Sequence, residues 1–164
     1  MNKISGKKSD FALMSEDASR VVIGYGLKKV TGKTLYEWYE TSFYKKQTSS
    51  ISFQDVKQAI ITDINNRITE QIVGGMTWEE KPVWLSIENQ INFSQATAPC
   101  RIKIGEEEDS TPVYHDFETA ADLKAFVDSC LAWKNQCLDA GRAEKESIDW
   151  SAYEALFPKQ ESQE

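Results

Sequence analysis

Apolar residues recur at helical spacing in two long stretches of the chain and alternate with polar ones in several short stretches. Phe53, Val56, Ile60, Ile64, Ile68 and Ile72 lie three or four positions apart. At about 100° per residue they fill one broad arc, which predicts an amphipathic helix that buries a single face. Ser52 stands before the first of them with Asp55 three residues on, a near capping box. Gly74-Gly75 follows the last and predicts its end, because glycine takes the left-handed conformation without steric cost. A second helix is predicted from Thr119 and Asp122 onward. Its apolar face comprises Leu123, Phe126, Val127, Cys130, Leu131, Trp133, Cys137 and Leu138, and Gly141 is predicted to close it. Lys134 falls within that face and is expected to carry its amine to the edge.

Between these helices the period changes to that of strands. Met76-Thr77-Trp78 and Val83-Trp84-Leu85 flank Glu79-Glu80-Lys81-Pro82, which predicts a hairpin with Trp78 and Trp84 paired across it. Ser86 is the candidate N-cap of a short helix reaching about Ala96. Arg101 to Ile104 and Pro112 to Phe117 predict a second hairpin around the acidic turn from Gly105 to Ser110. Upstream, Val21-Val22-Ile23 opens a β-rich stretch, and Leu35 to Glu40 reads as a strand or a helical turn. The pattern gives an α+β fold: two long amphipathic helices packed on short antiparallel hairpins, with a β-rich N-terminal region. Residues 1–48 are expected to form an N-terminal arm and β-rich region, 49–148 the core α+β domain, and 149–164 a short helix and polar tail.

Composition narrows the function classes. At 164 residues the chain can bury a core without metal or disulfide, and five Trp, six Tyr and seven Phe are ample to fill it. A net charge of −7 argues against an electrostatic grip on nucleic acid. Cys100, Cys130 and Cys137 are odd in number and lack the close pairing of a zinc site, so free thiols are expected. No apolar run approaches the roughly 18 residues that span a membrane.

Several motifs invite chemistry that their spacing does not support. Val30-Thr31-Gly32-Lys33-Thr34 resembles the end of a phosphate-binding loop, but the required first glycine falls on Leu27. Glu106-Glu107-Glu108-Asp109 are successive acids that point different ways, unlike the alternating ligands of a calcium loop. His115 is the single histidine and has no nucleophile beside it in any recognisable motif. Asn89, Gln90 and Asn92 carry side-chain amides suited to capping backbone groups between hairpin and helix. That role is favoured over a ligand contact. No metal or cofactor is expected.

The run Trp78, Trp84-Leu85-Ser86, Glu88-Asn89-Gln90 and Asn92-Phe93, preceded by Gly74-Gly75, resembles an uncharacterised domain family of phages and prophages of Bacteroides-type gut bacteria. Its members are often encoded near tail and tail-fibre genes. Lys103 to Glu106, Thr111 to Phe117 and the helix from Thr119 fit the same pattern, so the resemblance covers roughly residues 50–148. One departure is the early stop of the short helix at Ser94 to Pro99, where relatives run on. The family brings no catalytic residues.

The resemblance implies a non-enzymatic virion structural or adaptor protein of a bacteriophage. It would be tail-associated, made in the host cytoplasm, and present as a homo-oligomer or as symmetric copies among other phage structural proteins. No specific nucleic acid and no membrane are expected as partners. The alternatives are a tail-fibre assembly chaperone absent from the mature particle, and a small enzyme with a site around His115. Candidate interface residues are Phe11, Tyr36, Trp38, Tyr39, Phe43 and Tyr44 in the arm, with Trp150, Tyr153 and Phe157 at the other end.

Overall fold

The computed structural model describes residues 2–45 and 50–157, and it is an α+β structure. The expected boundary at 48 lies outside these residues, as does the expected polar tail from Pro158. The chain divides into two compact units, one formed by residues 1–65 with 142–164 and the other by 66–141. This division differs from boundaries at 48 and 148. Both long helices contribute to each unit, so the breaks fall inside helices, where composition gives no sign of them.

The first unit is built on a four-stranded antiparallel sheet: β1 (Asn2–Gly6), β2 (Met14–Glu16), β3 (Arg20–Lys29) and β4 (Tyr36–Tyr44), in the order β1-β4-β3-β2. The expected β-rich N-terminal region is this sheet, and it takes in the residues before Val21 that read as an arm. Its polar first residues become β1, because an edge strand needs only its backbone groups to pair, and Asn2 to Gly6 lie against Glu40 to Tyr36. Leu35 to Glu40, open between strand and turn, is strand from Tyr36 on. On β3, Val21, Ile23 and Tyr25 alternate onto one buried face. Val56, Ile60 and Ile64 are equally buried on helix α1 (Phe53–Gly74). The Tyr25 hydroxyl donates to Asp63 on α1.

Helix α1 begins as its sequence dictates. The Asp55 amide donates to Ser52 Oγ at 3.3 Å, and the Ser52 amide donates to Asp55 Oδ2 at 2.9 Å, closing the reciprocal box. It ends at Gly74, and Gly75 sits at φ +82°. A Cβ on Gly75 would lie 1.8 Å from the Val83 carbonyl oxygen, so no other residue fits there.

In the second unit, β5 (Met76–Trp78) and β6 (Lys81–Val83) form one hairpin, and β7 (Cys100–Glu106) and β8 (Pro112–Phe117) form another. Helix α2 (Ile87–Gln95) and most of α3 (Ala120–Glu146) complete it. Its core gathers Val83 and Leu85 from the first hairpin, Ile104, Val113 and Phe117 from the second, Phe93 from α2, and Leu123, Phe126 and Cys130 from α3. Phe126 meets Phe93 edge-on at 5.0 Å and Trp78 at 4.9 Å, a favoured geometry for aromatic pairs.

Three expectations fail here. Trp78 stands opposite Lys81, not Trp84, because the turn contains only Glu79 and Glu80 (φ 47° and 62°) and β6 ends at Val83. Trp84 is then 41 % exposed. Gly141 does not close α3, which runs on to Glu146 through the good helix formers Arg142 to Glu146. Leu131 and Leu138 lie off the buried stripe and are exposed.

Gly141 instead permits a close approach: a Cβ placed on it would lie 2.6 Å from Ile68 Cγ1. Alanine gains about 1 kcal/mol of helix propensity over glycine, while overpacking a tight contact costs about 1–3 kcal/mol. Gly141→Ala is therefore expected to lower the unfolding free energy in denaturant titrations. In an Ile68→Ala background the collision is absent, and the same change should raise it by about 1 kcal/mol. A stabilising Gly141→Ala in the wild-type chain would contradict the contact.

Candidate functional site

The aromatic residues expected at an interface separate into three groups. Trp38 and Tyr153 are core, each 3 % exposed. Trp38 is covered by Phe11, whose ring meets it edge-on at 6.0 Å, and its Nε1 donates to Glu40 Oε1 at 3.0 Å. Tyr153 lies on the short helix α4 (Trp150–Glu154), and its hydroxyl donates to the Gly24 carbonyl at 2.7 Å. That carbonyl lies at the end of the β2–β3 pairing, where the Gly24 amide already donates to Leu13. Tyr153 thus supplies the bond that a longer β2 would have made.

The second group is half-buried: Phe11, Tyr36, Tyr39, Phe43, Trp150 and Phe157. Tyr39 stacks on Tyr25 at 5.6 Å, and the Lys57 ammonium lies 5.4 Å from the Trp150 ring centre. Only Tyr44 of the nine is mostly exposed, at 78 %. Burial removes Trp38 and Tyr153 from the candidate interface, and counting aromatics could not separate these two from the half-buried ones beside them.

The motif around Ser86 behaves as its chemistry predicts. Ser86 Oγ accepts from the Asn89 amide at 3.2 Å and caps α2. Asn89 Nδ2 donates to the Trp84 carbonyl at 3.0 Å, and Gln90 Nε2 donates to the Leu85 carbonyl at 2.7 Å. Both amides therefore hold the hairpin exit against the helix. Gln90 Oε1 also accepts from Lys134 Nζ at 3.0 Å, which is where the lysine on the apolar face of α3 places its charge. Phe93 is buried and Asn92 is exposed.

Beside this junction, α2 and α3 enclose a groove of about 410 Å³. Leu85, Phe93 and Cys130 belong to its floor, and Ile87, Ile91 and Leu131 stand at its rim, exposed by 74 %, 49 % and 54 %. Burial pushes the Cys130 thiol up to about 11, so at neutral pH it is an apolar group and not a nucleophile. Sequence reasoning missed this rim. Its traces were Ile87 and Ile91 four apart on a short helix, and Leu131 flanking an apolar arc wider than one face needs.

His115 packs against Trp78 at 4.8 Å and Phe117 at 4.6 Å, and its Nδ1 lies 3.1 Å from Lys81 Nζ. Glu107, Glu108 and Asp109 are exposed at the tip of the second hairpin. Among the described residues, no group of three or more His, Cys, Asp and Glu is placed to hold a metal, and no helix is long and apolar enough to cross a membrane. No family model, curated protein or solved structure matches the chain.

Burial, reinforced by the negative charge of Asp149, pushes the Tyr153 phenol up to about 12 from an ordinary 10. The folded protein keeps this proton while the unfolded chain releases it. The stability it contributes is therefore whole below pH 10 and lost as pH rises towards 12. Tyr153→Phe is expected to cost about 1–3 kcal/mol at pH 7, since the Gly24 carbonyl loses its partner. The gap between variant and wild type should close as pH climbs from 10 to 12, read by denaturant titration. A gap independent of pH would contradict the buried phenol.

Proposed function

We propose that this protein is a non-enzymatic structural or adaptor component of a bacteriophage particle, tail-associated, that works through contacts with other phage structural proteins. The observation that carries the reading is the groove between α2 and α3, whose apolar rim of Ile87, Ile91 and Leu131 lies in water in the isolated chain. A contiguous apolar patch with polar residues at its edge is the usual mark of a protein contact. The Gln90 to Lys134 bond ties α2 to α3 beside it, so an incoming apolar segment meets a preformed surface that loses little entropy in ordering. The phage context rests on the resemblance of the run from Trp78 to Phe93.

Mass spectrometry of purified particles tests the location, and the chain is expected in a fixed ratio to the tail proteins. Its absence from particles whose tail fibres fail to form without it would favour an assembly chaperone instead. Ile87→Asp with Leu131→Asp tests the surface. Both side chains are exposed, so thermal stability should change little, within about 0.5 kcal/mol for each. Incorporation into particles should be lost. Normal incorporation of the double variant would overturn the assignment of the groove.

A further inference from the structure

A second surface of the same unit differs from the groove in kind, because backbone lies open there. β5 pairs with β6 alone, so its other edge has no strand beside it. With Glu79 and Glu80 as the two-residue turn, Trp78 and Lys81 are the first hydrogen-bonded pair, and Thr77 and Pro82 form the non-bonded pair that follows. Proline at 82 fits this register, since the position requires no amide proton. The Thr77 N–H and C=O therefore point away from β6, and among the described residues neither has a partner.

Residues 74–78 line one wall of a cleft of about 830 Å³, and α3 contributes Ser129, Ala132, Trp133 and Gln136 to its lining. The half-exposed ring of Trp84 adds an apolar surface beside the partly buried Trp133. At the end of the strand, Glu79 and Glu80 are exposed and form no ion pair among the described residues.

We propose that this cleft binds an extended peptide segment of a partner protein, added antiparallel to β5 as a third strand. One residue of the segment exchanges both hydrogen bonds with Thr77, and apolar side chains on it meet Trp84 and Trp133. Antiparallel docking puts the N-terminal end of the segment beside Glu79 and Glu80, so that end carries lysine or arginine. This charge requirement selects a foreign segment over a second copy of the chain. A second copy docked through its own β5 in this way would set Gly75 and Gly74 beside Glu79 and Glu80 and supply no cation there, on a protein of net charge −7. The site is separate from the α2–α3 groove and stands whether or not the phage reading holds.

An array of capped decapeptides with alternating apolar residues tests it, with basic, neutral or acidic residues at either end and the full-length chain as analyte. Basic N-terminal ends should be selected. For the best peptide, N-methylation at the residue opposite Thr77 should weaken binding about tenfold, the loss of one well-made hydrogen bond. Thr77→Pro removes the outward N–H without breaking the β5–β6 ladder and should weaken binding at least as much, and Glu79→Lys with Glu80→Lys should reverse the preference for charge. Three results would overturn the proposal: no peptide enriched over its scrambled form, binding indifferent to N-methylation on the wild-type chain, or a dimer of the chain that Thr77→Pro dissociates.

Discussion

The side chain of Gln90 joins three elements: α2, the exit of the first hairpin and α3. Its amide nitrogen holds the carbonyl at the end of the first hairpin, and its oxygen receives the ammonium of Lys134 from α3. Apolar packing sets how much surface is buried and leaves the parts free to slide, whereas a half-buried amide with both ends engaged selects one arrangement. Both candidate surfaces inherit this arrangement. It fixes the spacing of α2 and α3 that opens the groove, and it anchors the segment from Trp84 to Ser86 beside the cleft.

The same unit is held elsewhere by approaches so close that side chains must be absent. Gly75 lets the end of α1 pass against Val83, and Gly141 lets Ile68 reach the α3 backbone. In the other unit the cohesion is of a different sort. A sheet of four strands buries alternate residues of β3, and Tyr153 fills a hydrogen-bonding position that β2 is too short to reach. In both units these polar bonds sit among buried aliphatic and aromatic side chains that form the cores.

Local chemistry was legible in the sequence and long-range pairing was not. The Ser52–Asp55 box, the Ser86 cap and the amides of Asn89 and Gln90 are interactions among residues within about five positions, and the hairpin of β7 and β8 joins two segments that follow one another in the chain; these were readable. The pairing of β1 with β4 joins residues thirty or more positions apart, and nothing in the polar composition of Asn2 to Gly6 marks it. For the same reason Trp38 and Tyr153 read as surface aromatics: what buries them comes from distant parts of the chain. Gly141 misled because a helix stop and a helix contact place the same residue in the same pattern. Trp84 misled because the hairpin turn is two residues long, which moved every partner across it.

The account turns on the groove between α2 and α3 being a site of contact in an assembled particle. Density for the chain within an intact particle, at a resolution that shows side chains, tests this most directly. The account predicts apolar side chains of a neighbouring subunit within van der Waals distance of Ile87, Ile91 and Leu131. A chain located in the particle with those three residues facing solvent would contradict it.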